Sequence, residues 1–303
     1  MTAIVITGAT GSLARDIIPP LREAGFKVKG VDVRGVSDPL FDPMCGGIEV
    51  AELDVADTAG LANEFAGADA VIHLAGIPLE YDWEDICRAN VDGTQSVLEA
   101  AREAGVPRVV LASSIHAAGG HSVPVDPRLL AAPGTGQASG WNPVPADVEP
   151  FPMTNYGVSK AALEALGKMY AYRFNLEVVA VRIASRFAEP SDERMLSTWL
   201  SPRDAAELFN RAVTAELPKK YLQIWGVSHN LRSYLSLSEG YAIGYEPQDD
   251  AEIYAEKLFP EGRLPDRKSW DFTLGGVFSS PHPPRFSPEN SEIQKGEPND
   301  GDE

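Results

Sequence analysis

The chain predicts an α/β protein: a doubly wound parallel sheet with a small C-terminal lobe. Three observations carry that prediction. Short apolar runs alternate with helix-like segments over residues 1–115. Runs such as Val109-Val110-Leu111-Ala112 are apolar on both faces, as in a parallel sheet covered by helices on each side. A glycine-spaced turn, Thr7-Gly8-Ala9-Thr10-Gly11-Ser12-Leu13-Ala14, follows the first apolar run and opens the first helix. Repeated strand–helix–strand units then imply right-handed crossovers.

Taken in order, the first strand is Ala3–Thr7, whose Ile4-Val5-Ile6 run is branched and apolar. A helix at Leu13–Ala24 places Leu13, Ile17, Ile18 and Leu21 on one face. Strands follow at Lys27–Asp32, Ile48–Asp54, Ala70–Leu74, Arg108–Ser113 and Glu177–Ile183, with helices at Thr58–Phe65, Trp83–Gly105 and Asn155–Phe174. The Gly119–Pro152 segment is rich in glycine and proline and has no period, so it reads as a long loop, either a lid or a surface insertion. After Ala184 the pattern weakens to a helix at Pro202–Ala215, a strand at Tyr221–Gly226 and a short helix at Ala251–Leu258. The expected division is a dinucleotide-binding domain over 1–184 and a substrate lobe over 185–286, beside the carboxyl ends of the strands. Residues 287–303 are acidic, carry Pro288 and Pro298, and read as a disordered tail.

Composition narrows the function. A net charge of -18 argues against a nucleic-acid surface, which needs clustered Lys and Arg. Cys45 and Cys87 form no CxxC pair and no metal spacing, so free thiols in a reducing compartment and no metal are expected. The first strand begins too early for a signal peptide, and no apolar run reaches the roughly 18 residues of a membrane span. The expected location is the cytoplasm.

In the turn, Gly8 permits a tight bend, Gly11 lets backbone approach a diphosphate, and Ala14 lets helix pack on strand. Asp32 ends the second strand, where a carboxylate can accept ribose hydroxyls and repel a 2′-phosphate. That favours NAD over NADP, with Arg34 pulling the other way. Asp54, beside Val55, is placed to meet the adenine, or else acts as a loop acid. His73-Leu74-Ala75-Gly76 ends the fourth strand, where small residues let backbone run beside a cofactor. Ser12 and Leu13, at the helix start, complete the candidate cofactor set. Further along, Tyr156 and Lys160 in Tyr156-Gly157-Val158-Ser159-Lys160 lie four apart on one helix face, so an ammonium can sit beside a forming phenolate. Turn and pair together point to a nicotinamide-dependent oxidoreductase.

These residues, with Ser113-Ser114, resemble the extended short-chain dehydrogenase/reductase family, over roughly residues 3–260. The resemblance implies a Rossmann fold, Ser114 rather than Ser113 holding the reacting oxygen, and Asn90 helping to order the lysine through water. Val181-Arg182-Ile183-Ala184-Ser185 and Arg194-Met195-Leu196-Ser197-Thr198-Trp199-Leu200 are similar to the uronate dehydrogenases, which oxidise the C1 hemiacetal of a hexuronate to an aldarolactone. By that likeness Ser185 binds a substrate hydroxyl and Arg194 clamps the carboxylate. His116 lies near this site, where it either packs and supports the loop or touches substrate. Pro78 and Ile115 depart from the pattern, standing where that group has a serine and an asparagine. A sugar-phosphate dehydrogenase, a nucleotide-sugar epimerase or dehydratase, and a non-catalytic dinucleotide sensor are the alternatives. The short stretch between Ala184 and Pro260 favours a small sugar or sugar acid over a nucleotide sugar. Pairing of long helices in the family implies a homo-oligomer.

Overall fold

The structure, a computed structural model, describes residues 2–34, 48–123, 142–258 and 268–286. Its centre is a seven-stranded sheet. In chain order the elements are β1 (Ala3–Thr7), α1 (Ser12–Glu23), β2 (Lys27–Asp32), β3 (Glu49–Glu52), α2 (Thr58–Phe65) and β4 (Ala70–His73). Then come α3 (Trp83–Ile86), a π-helical turn (Cys87–Asp92), α4 (Gly93–Glu103), β5 (Arg108–Ser114), α5 (Asn155–Phe174) and β6 (Glu177–Ile183). The C-terminal part adds β7 (Ser185–Arg186), α6 (Met195–Thr198), β8 (Trp199–Leu200), α7 (Pro202–Thr214) and β9 (Tyr221–Gly226). The expected helix at Trp83–Gly105 is thus three successive helical pieces, the middle one widened to π.

The sheet order is β3-β2-β1-β4-β5-β6-β9, and its pairings are parallel. The chain reverses its direction of travel across the sheet between β1 and β4, and ligands enter such sheets there, at the carboxyl ends. Thr7 pairs with His73 across that point.

Each face has its own core. Ile4, Ile6 and Ile72 pack with Ile17 and Leu21 of α1 and Leu208 and Phe209 of α7. Val5, Val71 and Val109 pack with Leu61 of α2, Val97 of α4 and Leu163 of α5. Neighbours along one strand serve opposite cores, which is why the strands read as unbroken apolar runs. Each such side chain stabilises the fold by about 1.5–3 kcal/mol.

Caps set the helix starts. Thr154 accepts from the Gly157 amide to begin α5, and Asn175, in the left-handed region at φ 57, ends it. Ser201 caps α7, with Pro202 in its first turn.

One expectation needs correction. The strand at Tyr221–Gly226, assigned to a separate lobe, is the seventh strand of the main sheet, paired along β6. The helix before it packs on α1 rather than beside the strand ends. The weak pattern after Ala184 hid a further helix-and-strand unit, because β6 and β9 are joined through the irregular β7–β8 excursion. What does cover the strand ends is residues 268–286. Thr273 bridges Ser122, the Gly275 amide donates to Gly119 O at 2.8 Å, and Arg285 bridges Glu80. The arms of the expected loop are tied to the body: Phe151 N donates to Ala117 O at 2.9 Å, and Trp225 Nε1 to Val144 O at 2.9 Å. The intervening residues 124–141, Cys45 and the tail at 287–303 lie outside the described residues. No helix among the described residues is long and apolar enough to cross a membrane.

Candidate active site

At the β1–α1 turn, Gly8 stands at φ +71, and a Cβ there would lie 2.6 Å from Ala75 N. Glycine therefore lets the end of β4 press directly on the turn. Leu74 N donates to Thr7 O at 3.1 Å, completing that contact. Gly11 precedes α1 without a side-chain cap, no acid occupies the first turn, and the first helical bond runs from Arg15 N to Gly11 O at 3.1 Å. The amides of Ser12 and Leu13 thus stand at an open, electropositive helix end.

Asp32 is buried and braces this turn. One carboxylate oxygen accepts from Thr10 N at 3.0 Å and Thr10 Oγ1 at 2.9 Å, the other from Arg34 N at 3.1 Å. A carboxylate offers about four acceptor sites, so a further donor can be met. Asp54 accepts from Ala56 N at 2.9 Å and pairs with Arg88 at 3.4 Å, half exposed. Val55 is buried, and a Cβ on Gly93 would lie 2.8 Å from it, so Val55 seats α4. Gly76 has φ +148, and a Cβ would lie 2.7 Å from Asn90 Oδ1.

Asn90 itself accepts from Ile77 N at 2.7 Å and donates to Ile77 O at 3.0 Å and Ser159 Oγ at 3.0 Å. It splices the β4 exit to α5, one residue before Lys160. The Lys160 ammonium donates to Ala112 O at 2.8 Å and lies 5.6 Å from the centre of the Tyr156 ring. Burial holds that ammonium down at about 8, against the pull of Glu164. The Tyr156 phenol is hydrogen-bonded to Ser114, yet burial pushes it up to about 12. The sequence spacing had suggested an acidified phenol; in the free protein the cost of burying a phenolate outweighs the help from its neighbours.

Ser114 Oγ also accepts from His116 N at 3.2 Å. The His116 ring lies 5.9 Å from the Tyr156 ring and 3.9 Å from that of Phe278. Burial, with the Arg194 charge behind it, lowers His116 to about 3, so the ring is neutral. Arg194 Nη1 donates to Ser185 Oγ at 3.2 Å, Nη2 donates to Leu274 O, and Ser185 Oγ shares a 2.8 Å bond with Thr198 Oγ1. His116 Nδ1, Arg194 Nε and Ser197 Oγ are buried without a partner among the described residues. Buried polar atoms normally find partners, so His116 Nδ1 and Arg194 Nε retain hydrogen-bonding capacity that the described residues do not use. Ile115 points away into a cluster with Trp225 and Leu274, and Pro78 is exposed.

The structure therefore brings Ser114, His116, Tyr156 and Lys160 into one cluster, with Ser185 and Arg194 bonded to each other on its far side. Gly8, Gly11, Ser12, Leu13 and Asp32 form a second cluster at the turn, bordered by Leu74, Ala75 and Gly76. Asp54 stands further out. Sequence reasoning missed several participants. Glu80 accepts from Tyr156 N at 3.1 Å, and Arg186 donates to Ser12 Oγ at 2.7 Å. Phe278 and the Leu274 carbonyl come from the far end of the chain, where no motif announces them. Glu164, one turn beyond Lys160, was findable by helical spacing.

The profile of the NAD dependent epimerase/dehydratase family matches residues 4–236. The chain is similar to the NAD-dependent glucose-6-phosphate dehydrogenase of Haloferax volcanii, 34% identical over 82% of this chain and 94% of that one. It is also similar to the uronate dehydrogenase of Agrobacterium fabrum, 33% identical over 88% of this chain and 92% of that one. Among solved structures, it resembles the crystal structure of uronate dehydrogenase from Agrobacterium tumefaciens, with TM-score 0.78 and 30% identity, covering 92% of this chain and 97% of that one.

Proposed function

Because the chain belongs to the NAD-dependent epimerase/dehydratase family, we propose that it oxidises a hexuronate at C1 to the aldarolactone, with NAD as oxidant. One observation carries the substrate half of this reading: Arg194 Nε and His116 Nδ1 are buried and unpartnered beside the Tyr156–Ser114 pair. A planar guanidinium suits a carboxylate, which it can hold through two parallel bonds. The relatives named for uronates support the acid; the one named for glucose 6-phosphate sets the competitor to be tested.

The residues present fit the cofactor. The open end of α1 suits a diphosphate, with Gly8, Gly11, Ser12 and Leu13 around it, and no side chain of α1's cap competes for the amides. Asp32 would take the adenosine ribose, Asp54 and Val55 the adenine, and Leu74, Ala75, Gly76 and Asn90 the path between. Tyr156 and Lys160 would meet the nicotinamide ribose. Bound NAD supplies the hydride acceptor.

Once its own proton has passed to solvent, Tyr156 as phenolate would take the proton of the C1 hydroxyl, and Ser114 would donate to the same oxygen as its charge develops. Lys160 is charged below about 8 and offsets the penalty that burial imposes on the phenolate. Ser185 holds a sugar hydroxyl, and Arg194 with His116 fixes the acid end. The same reading places the protein in the cytoplasm as a homo-oligomer, supported by the exposed Val158, Met169 and Tyr172 along α5. Light scattering tests the oligomer.

The deciding experiment is an absorbance screen at 340 nm with glucuronate, galacturonate, neutral aldoses and sugar phosphates. Uronates are expected to give the highest kcat/KM. Faster NADH formation from a sugar phosphate or a neutral aldose refutes the acid assignment. Sugar conversion without net NADH refutes the dehydrogenase reading in favour of an epimerase.

A further inference from the structure

We propose that Arg186 is a ligand of the cofactor's diphosphate, supplied to the α1 turn from β7. The inference rests on the NAD reading above and adds a binding residue that neither the turn motif nor the tyrosine–lysine pair contains.

Arg186 is 170 residues from Asp16, yet its guanidinium donates to the Asp16 carboxylate through Nη1 and to Ser12 Oγ at 2.7 Å through Nη2. Ser12 is the first residue of α1, at the end where the helix has neither side-chain cap nor acid. The guanidinium thus stands at the first turn of α1, on the side chain of a residue whose amide lies at the open helix end. The guanidinium carries five donors, and these two bonds use two. Its side chain is 19% exposed, and Asp16's 16%, so solvent screens the site little.

Strand geometry explains why this residue serves. Consecutive side chains on a strand point to opposite sides. On β7, Ser185 turns to Thr198 and Arg194, while Arg186 turns to Ser12 and Asp16. Two adjacent residues thus address two ligands, the sugar on one side and the diphosphate on the other. The rival explanation is a purely structural ion pair that clasps β7 to α1. The two differ in what Asp16 does. In a structural clasp both partners matter equally. In a diphosphate site Asp16 only aims the guanidinium, and its own charge opposes the anion.

The test is NADH fluorescence titration of the full chain, with displacement by ADP-ribose, which carries the diphosphate, and by adenosine, which does not. Arg186→Met is expected to weaken NADH and ADP-ribose about 10- to 100-fold, the scale of a lost charge-assisted bond, and to leave adenosine unchanged. Asp16→Asn is expected to bind ADP-ribose as well as the parent or better. Should Arg186→Met fail to fold, Arg186→Lys keeps a charge without the fork and reads the same contrast in smaller measure. Unchanged ADP-ribose binding by the Arg186 variants, equal losses for adenosine, or an equal loss in Asp16→Asn each overturn the assignment. A parent protein that binds neither NADH nor ADP-ribose overturns the cofactor reading along with it.

Discussion

Replacing Glu164 by glutamine tests how the pocket is held from below. Glu164 Oε1 accepts from Ser113 Oγ at 2.6 Å and Arg182 Nε at 2.7 Å, and Oε2 accepts from Arg182 Nη2 at 2.7 Å. The Arg182 side chain is 0% exposed and the Glu164 side chain 4%. Arg182 also reaches Val148 O at 2.8 Å and lies over the Trp225 ring. Glutamine keeps the shape and removes the charge, leaving a guanidinium in the interior without its counter-ion. Breaking such a pair from one side costs about 3–5 kcal/mol. In a chain of this size that lowers Tm on the order of 10 °C. The kinetic consequence follows from Lys160, whose pKa Glu164 raises against burial. Without the carboxylate, Lys160 loses its proton below 8, so activity falls off at a lower pH than in the parent. Urea unfolding and a pH–rate profile measure the two effects. A double variant with Arg182→Met should recover part of the stability, because apolar replacement of a buried pair is often neutral. An E164Q variant within about 1 kcal/mol of the parent, with an unmoved alkaline limb, refutes this account.

Other outcomes can be checked as directly. Tyr156→Phe is expected to cut NADH formation by about 100-fold or more while NADH still binds by fluorescence. Lys160→Met should stabilise the protein at pH 7 by on the order of 3 kcal/mol, since burial lowers the lysine from 10.5 to about 8. In the parent, stability correspondingly rises with pH from about 8 to 10.5, where the unfolded chain still holds the proton; thermal melts across that range check it. His73 is held at about 3 by burial and the Lys160 charge, between Thr7 and Thr94. Its contribution is therefore intact above pH 6.5 and lost as pH falls toward 3, so His73→Asn should flatten the acid unfolding curve over that span. Phe278→Ala should raise the sugar KM several-fold with little change in NADH binding, because the ring stacks on His116 and not on the α1 turn.

Much of the β1–α1 turn was legible because its signals are local. Gly8, Gly11 and Ala14 sit within one turn, and unbroken runs such as Val109–Ala112 report a sheet covered on both faces. Thr154 and Asn175 bound α5 over the residues expected to be helical. The cluster around Tyr156 was less legible, since its parts meet only through tertiary contact. Ser185 and Arg194 could be named from their string, but Phe278, Leu274 and Glu80 have no spacing that ties them to Tyr156. The seventh strand was found as a strand and misplaced, because pairing with β6 is a property of the whole sheet. The phenol's high pKa was likewise invisible: spacing reports the ammonium, and only burial reports the opposing cost.

The order in which the pocket's walls arrive along the chain has a consequence for biosynthesis. The glycine turn, Asp32 and Ser114 come early in the polypeptide, whereas Leu274, Phe278 and Arg285 follow Ser114 by 160 residues or more. Nascent chains fold from the amino end. The β1–α1 turn and the strands that hold it can therefore form before residues 268–286 are made, and the wall over His116 closes only once that segment has been added.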